Sequence, residues 1–312
     1  MIKIGIVGAN ELSKRHIAQL IQIPDFEIVG LFDHDTENAR LVASEFNIPL
    51  FDSLQLLLNV ADAVDIVSPV GTHFKYASQS IMQSVHVLLS GLLSEDIREA
   101  KQLNDLAIEA NVSLKILHEE KFHPEIKALR RLVKKPTYIE CNRFKNKVLS
   151  ISNDSIIFGM VLLDVDLLIS IVGSNVRKVV SNASKIFNEY ADFINVRIEF
   201  ENGCIANINC GNFEKAESNS IRVYQKNECI TLDLDRFDLT KLTKTDSGQY
   251  KEVPANQSRT KIQDVVKLEL EDFAQAILSR KRITQDTYQS YQSLRIAHQI
   301  IEKLHPSTLF DA

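Results

Sequence analysis

Along the first 120 positions, short apolar runs rich in β-branched residues alternate with longer stretches whose apolar residues recur at helical spacing. The runs at 2–7, 27–32, 63–67, 86–89 and 112–117 suit strands buried on both faces of a parallel sheet. A shorter run at 48–51 reads the same way. Between them, the stretch through Ile17, Leu20 and Ile21 stops before Pro24, and 37–46, 54–58 and 74–83 continue the helical rhythm. The segment 94–111 carries Ile97, Ala100, Leu103, Ala107 and Ile108 on one helical face. Strand and helix alternating in this way predict a doubly covered, Rossmann-type α/β domain over residues 1–120.

The pattern changes after that. Stretches 137–144, 176–187, 194–201, 204–210, 221–224 and 228–234 alternate in the strand period, and Glu201-Asn202-Gly203 supplies the positive φ angles of a hairpin turn. Residues 243–259 are polar and without period, which predicts a mobile loop, while 262–278 and 290–304 return to helix. Residues 121–312 therefore read as an α+β domain built on a large, mainly antiparallel sheet.

Composition narrows the function classes. The chain has 312 residues, 45% of them hydrophobic, enough to bury the cores of two domains. Lys plus Arg number 36 against 41 Asp plus Glu, a formal charge of −5, so no concentrated basic face points to nucleic acid. Cys141, Cys204, Cys210 and Cys229 lack CxxC spacing, and no His, Cys or carboxylate cluster has metal-ligand spacing. No apolar run is long enough to cross a bilayer and no leader precedes the first strand, so the expectation is a cytoplasmic protein with reduced cysteines and no membrane partner.

Chemistry enters at the first turn. In a dinucleotide-binding βαβ unit the turn after the first strand cradles the pyrophosphate, and an acid ending the second strand accepts from the ribose hydroxyls. Gly8, Ala9, Asn10, Glu11 and Leu12 form that turn here, and Asp33 stands at the acid position, favouring NAD over NADP because a carboxylate repels a 2′-phosphate. Of the fingerprint glycines only Gly8 is present; Asn10 and Ser13 replace the others. Asparagine tolerates the left-handed backbone region better than most residues, so Asn10 is expected to take it, while adding a polar group where glycine would let backbone meet phosphate. Ligands on open parallel sheets bind outside the carboxyl ends of strands, so Ser68, Pro69 and His73, which follow the third long run, join the cofactor-binding candidates.

Gly5-Ile6-Val7-Gly8 with Lys14-Arg15-His16, Pro69-x-x-Thr72-His73, His86-Val87 leading to Ser90-Gly91-Leu92, Glu120-Lys121-Phe122-His123-Pro124, and Leu163-Asp164-Val165-Asp166-Leu167 occur in this order. Their order and spacing resemble the glucose-fructose oxidoreductase and myo-inositol dehydrogenase family, Gfo/Idh/MocA, nearly end to end. The resemblance implies hydride transfer between a nicotinamide and a sugar or cyclitol hydroxyl, and a homo-oligomer, most simply a dimer, with a sugar-like ligand. It also implies a lysine in a Glu-Lys-Pro turn and an Asp-x-x-x-His pair around the reacting carbon. Carried over by position, the lysine falls on Gly91, the aspartate on Gly159 and the histidine on Leu163. None of these side chains moves a proton.

Asp164, next to the lost histidine, and Lys121, on the crossover, are the remaining catalytic candidates, with a structural bridge the simpler role for Asp164. Three functions stay open. The chain is an NAD-linked oxidoreductase using altered residues, a catalytically silent nucleotide- or sugar-binding regulatory or partner protein, or a protein whose sheet serves assembly alone.

Overall fold

A computed structural model describes residues 1–144, 160–187, 191–211, 218–245, 248–255, 262–279 and 284–304. Two compact units emerge, Met1–His123 with Thr260–Tyr291, and Pro124–Arg259 with Gln292–Ala312.

In the first unit, β1 (Ile2–Val7), β2 (Phe26–Phe32), β3 (Ala63–Ile66), β4 (His86–Ser90) and β5 (Leu114–Leu117) form a parallel sheet in the order β2-β1-β3-β4-β5. The order reverses at β1, so the connections leaving β1 and β3 run to opposite sides and form the crevice where such sheets bind ligands. Helices α1 (Glu11–Leu20), α2 (Thr36–Phe46), α3 (Leu54–Leu58), α4 (His73–Met82), α5 (Ile97–Ala110) and the short α6 (Glu119–Phe122) connect the strands or follow them. Ile4, Ile6, Ile17, Leu20 and Leu31 are buried in one core. Each contributes about 2 kcal/mol relative to exposure. The late helix Ile262–Leu278 completes that core with Val266, Leu270 and Phe273, the last stacked on Phe26 at 6.5 Å between ring centroids.

The expected strand at 48–51 is not one. Leu50 makes only an isolated bridge to Leu31, because residues 49–51 give β2 two hydrogen bonds and then turn into α3.

The second unit contains α7 (Pro124–Leu132), α8 (Leu162–Val172) and an eight-stranded sheet. Its strands are β6 (Pro136–Phe144), β7 (Val176–Ser184), β8 (Phe193–Phe200), β9 (Ile205–Gly211), β10 (Ser218–Gln225), β11 (Glu228–Asp233), β12 (Asp238–Lys244) and β13 (Tyr250–Pro254), ordered β13-β12-β11-β10-β6-β9-β8-β7. All neighbours are antiparallel except β6 and β9. The hairpin between β8 and β9 turns at Gly203, φ +86°, as Asn202-Gly203 predicts. Of the stretch 243–259 expected as a mobile loop, 243–244 end β12 and 250–254 form the edge strand β13, while 246–247 and 256–259 lie outside the described residues. Tyr250, Lys251, Glu252 and Pro254 are exposed, so an edge strand of this kind carries no burial alternation to read.

Helices α9 (Ile262–Leu278) and α10 (Thr284–Lys303) end the chain. Among the described residues no helix is long and apolar enough to cross a membrane.

Candidate functional site

The turn between β1 and α1 is held by backbone crowding and by a helix cap. Gly8 has φ +116°, and a Cβ there would lie 2.8 Å from the Ser68 amide nitrogen and 2.9 Å from the Val67 carbonyl carbon, so glycine alone lets the ends of β1 and β3 approach. Asn10 does not take the left-handed region. Its φ of −151° and ψ of −177° are extended, since it serves as the N-cap of α1. Its Oδ1 accepts from the amides of Leu12 at 2.9 Å and Ser13 at 3.0 Å, and its Nδ2 donates to the Val67 carbonyl at 2.7 Å. Ser13 Oγ closes the capping box by accepting from the Asn10 amide at 2.9 Å. The Asn-x-x-Ser spacing carried that signal in the sequence.

Asp33 sits at the end of β2 with its carboxylate turned back on the turn. Oδ2 accepts from the Ala9 amide at 2.6 Å, and Oδ1 accepts from the Asp35 amide at 3.0 Å and pairs with His34 at 2.8 Å. The side chain is 12% exposed. A carboxylate offers about four lone-pair sites, so one remains to accept from a ribose hydroxyl. Burial, and then the charge of Asp33, push the phenol of nearby Tyr76 above its ordinary range.

At the end of β3, Thr72 Oγ1 donates to the Pro69 carbonyl at 2.7 Å and accepts from the Ser68 hydroxyl at 2.8 Å. His73 is fully buried, its Nδ1 and Nε2 each 2.7 Å from a carbonyl, of Leu92 and Ser68 respectively. The ring is held between the end of β3 and the loop after β4, with an N–H to donate to these carbonyls. That loop contains Gly91, φ +96°, where an added Cβ would meet none of the described residues within 4 Å. Lys121 lies half-buried on α6.

A buried polar cluster lies in the same unit. His16 Nδ1 on α1 is 2.7 Å from Asp65 Oδ2 on β3, both side chains fully buried. Burial opposes charge on His16, but the charge of Asp65 and its hydrogen bond outweigh it and raise the imidazole pKa. Glu269 on α9 accepts the His118 amide at 3.0 Å through Oε1, while Oε2 finds no partner among the described residues. Burial lifts its pKa to about 7 against the His118 amide and the Lys115 cation, which lower it. Lys115, fully buried, pairs with Asp272 and lies 4.4 Å from the Phe122 ring centroid. His16 reads from the sequence as a packing or surface residue; the signal for its role was Asp65, a carboxylate inside an apolar strand that requires a partner.

In the second unit, Asp164 at the start of α8 is gripped by Arg143 of β6, with Nη2 2.6 Å from Oδ1 and Nε 3.1 Å from Oδ2. Both side chains are almost fully buried, at 5% and 2% exposure, so the carboxylate bridges the domain core. Asp166 accepts from Ser293 Oγ at 2.9 Å. Leu163 is half-buried on the same helix, and Gly159 lies outside the described residues. Burial, then the Asp164 charge, push the Cys141 thiol well up, which leaves it unreactive. Among the described residues no group of three or more His, Cys, Asp or Glu is arranged to hold a metal.

Residues 2–118 match the model of an oxidoreductase family with an NAD-binding Rossmann fold, GFO_IDH_MocA. UDP-N-acetylglucosamine 3-dehydrogenase of Acidithiobacillus ferrooxidans is 26% identical over 306 residues, covering 96% of each chain. The solved structure of UDP-N-acetylglucosamine 3-dehydrogenase GnnA from that organism superimposes with a TM-score of 0.86 at 25% identity, over 97% of each chain. An Agrobacterium radiobacter oxidoreductase solved with NAD+, L-tartaric acid and magnesium shares the fold, with a TM-score of 0.84 and 14% identity over 98% of this chain and 97% of that one.

Proposed function

Because the chain belongs to the Gfo/Idh/MocA family of oxidoreductases, we propose that it is a dinucleotide-binding member in which hydride transfer on a sugar-like substrate is impaired. Gly8, Ala9, Asn10, Glu11 and Leu12 face the pyrophosphate, Asp33 accepts from the ribose, and Ser68, Pro69 and His73 shape the nicotinamide end. NAD supplies the hydride chemistry when bound, and the protein has to supply the proton route. UDP-N-acetylglucosamine in the relative's name makes a nucleotide sugar the first ligand class to try.

The observation that carries impairment is Gly91. The turn where the resemblance places the lysine has no side chain, and among the described residues none lies within 4 Å of where a Cβ would be. Leu163 offers no proton, and Asp164 is neutralised by Arg143. The Arg143 pairing also favours a second reading, a non-catalytic nucleotide- or sugar-binding regulatory or partner protein, because a carboxylate held by a buried guanidinium is a poor base.

NAD is preferred over NADP. Asp33, followed by Asp35 and Glu37, presents negative charge where a 2′-phosphate would sit. The assembly is a homodimer through the second sheet. One face of that sheet is buried, while the opposite face is half-exposed and carries a hydrogen-bonded row, Asn142, Asn209 and Asn195, beside Asn207 and Tyr138.

Calorimetric titration with NAD(H) and NADP(H) tests the reading. Binding of NAD(H) with weaker NADP(H) is expected; tighter NADP(H), or no dinucleotide binding, overturns it.

A further inference from the structure

The oxygen of Asn10 occupies the N-terminus of α1. An anion seated on a helix N-terminus accepts from first-turn amides and is held by the helix dipole. Asn10 Oδ1 accepts from two such amides, those of Leu12 and Ser13, while Nδ2 ties the side chain to the Val67 carbonyl. The preceding amides are engaged as well, Gly8 with the Phe32 carbonyl at 2.9 Å and Ala9 with Asp33 at 2.6 Å. Asn10 itself is exposed, so its side chain sits on the side a ligand approaches. A glycine at this position would leave the same amides to solvent and ligand.

We propose that Asn10 is a built-in competitor for the dinucleotide pyrophosphate, a side chain that must swing off α1 before phosphate oxygens accept from Leu12 and Ser13, and that it thereby sets the affinity of the site. The inference rests on the dinucleotide-binding reading above. The exchange still runs toward the ligand, since a charged phosphate accepts more strongly than a neutral amide oxygen. The strength of the cap is subtracted from the affinity.

Three consequences separate this from a purely structural cap. Asn10→Ala removes the competing oxygen and suits the extended backbone, so the uncapped helix is less stable without ligand yet binds NADH about fivefold more tightly, the equilibrium equivalent of one N-cap. Asn10→Asp keeps an oxygen that caps α1, loses the donor to the Val67 carbonyl, and sets a negative charge against the phosphates, which weakens binding. In the unsubstituted chain, the Asn10 side-chain amide resonances, assigned by their loss in Asn10→Ala, move when NADH saturates the site.

Calorimetry with NADH on the three full-length chains, thermal melts without ligand, and the amide spectrum form the test. Tighter binding by a less stable Asn10→Ala, with weaker binding by a folded Asn10→Asp, is the result expected. Equal or weaker binding by Asn10→Ala while the unsubstituted chain binds NADH overturns the competitor and leaves dinucleotide binding standing, as do Asn10 resonances that stay fixed at saturation. Failure of both the unsubstituted chain and Asn10→Ala to bind NADH overturns both.

Discussion

Glu269 ties the stability of the first unit to pH in a direction opposite to that of most carboxylates. It is fully buried, one oxygen accepts the His118 amide, and the other has no partner among the described residues. Burial raises its pKa from 4.5 to about 7. A raised folded-state value means that the folded chain keeps a proton which the unfolded chain has released. The stabilisation is therefore complete below 4.5 and is lost as pH rises through about 7. From 4.5 to about 7, at about 1.4 kcal/mol per pH unit, the change is roughly 3 kcal/mol. The charged groups facing it divide. Lys115 and His16 lower the value and Glu119 raises it. His16, whose own pKa is raised, adds a loss of the same sign as pH climbs. Glu269→Gln keeps an acceptor for the His118 amide and stays neutral at every pH, so it mimics the protonated acid. Urea unfolding followed by circular dichroism between pH 5 and 8 reads the difference. The variant and the unsubstituted chain should be similar near pH 5, and the variant should be more stable by up to roughly 3 kcal/mol near pH 8. Parallel pH profiles for the two chains, or a variant that falls behind at high pH, would refute the reasoning.

Asp164→Asn removes one charge of the buried pair with Arg143 and should destabilise folding by roughly 3 to 5 kcal/mol, seen as a lower denaturant midpoint with little change in slope. A near-neutral midpoint would show that Asp164 is no structural bridge. Gly8→Ala puts a methyl group 2.8 Å from the Ser68 amide nitrogen at φ +116° and should cost on the order of 2 kcal/mol in thermal unfolding. An unchanged melting curve would contradict the crowding at the ends of β1 and β3. Light scattering at micromolar concentration should give the mass of a dimer, and a monomer mass would remove the open sheet face as its interface.

The parallel sheet was legible because its inner strands are largely buried on both faces and write plain apolar runs, as in Ile4, Ile6 and Val7 or Leu88 and Leu89. Pro24 and the Asn202-Gly203 turn were legible for backbone reasons that hold in any context. The edge strand β13 was not, since its side chains face water and follow no period. At the candidate site, Gly8 and Asp33 follow from position along the chain, but the choices that decide chemistry are made by neighbours distant in sequence. Asn10 was free to be a left-handed turn residue until the Val67 carbonyl and the Ser13 hydroxyl made it a cap. Asp164 was a candidate base until Arg143, on a strand 21 residues earlier, claimed both of its oxygens. Glu269 comes within reach of His118 from 151 residues away, a separation no local pattern encodes.

Single-turnover absorbance of the nicotinamide reads whether a dinucleotide site without a proton route transfers hydride. The chain would be saturated first with NAD+ and then with NADH, and mixed with sugars, sugar nucleotides and inositols. General acid–base assistance contributes roughly a hundred- to ten-thousand-fold to such transfers, and stabilisation of the developing alkoxide about as much again. With Gly91 and Leu163 where the resemblance would place a lysine and a histidine, the nicotinamide band should stay at background across the panel. A stoichiometric absorbance change with any member of it would contradict the absence of a proton route.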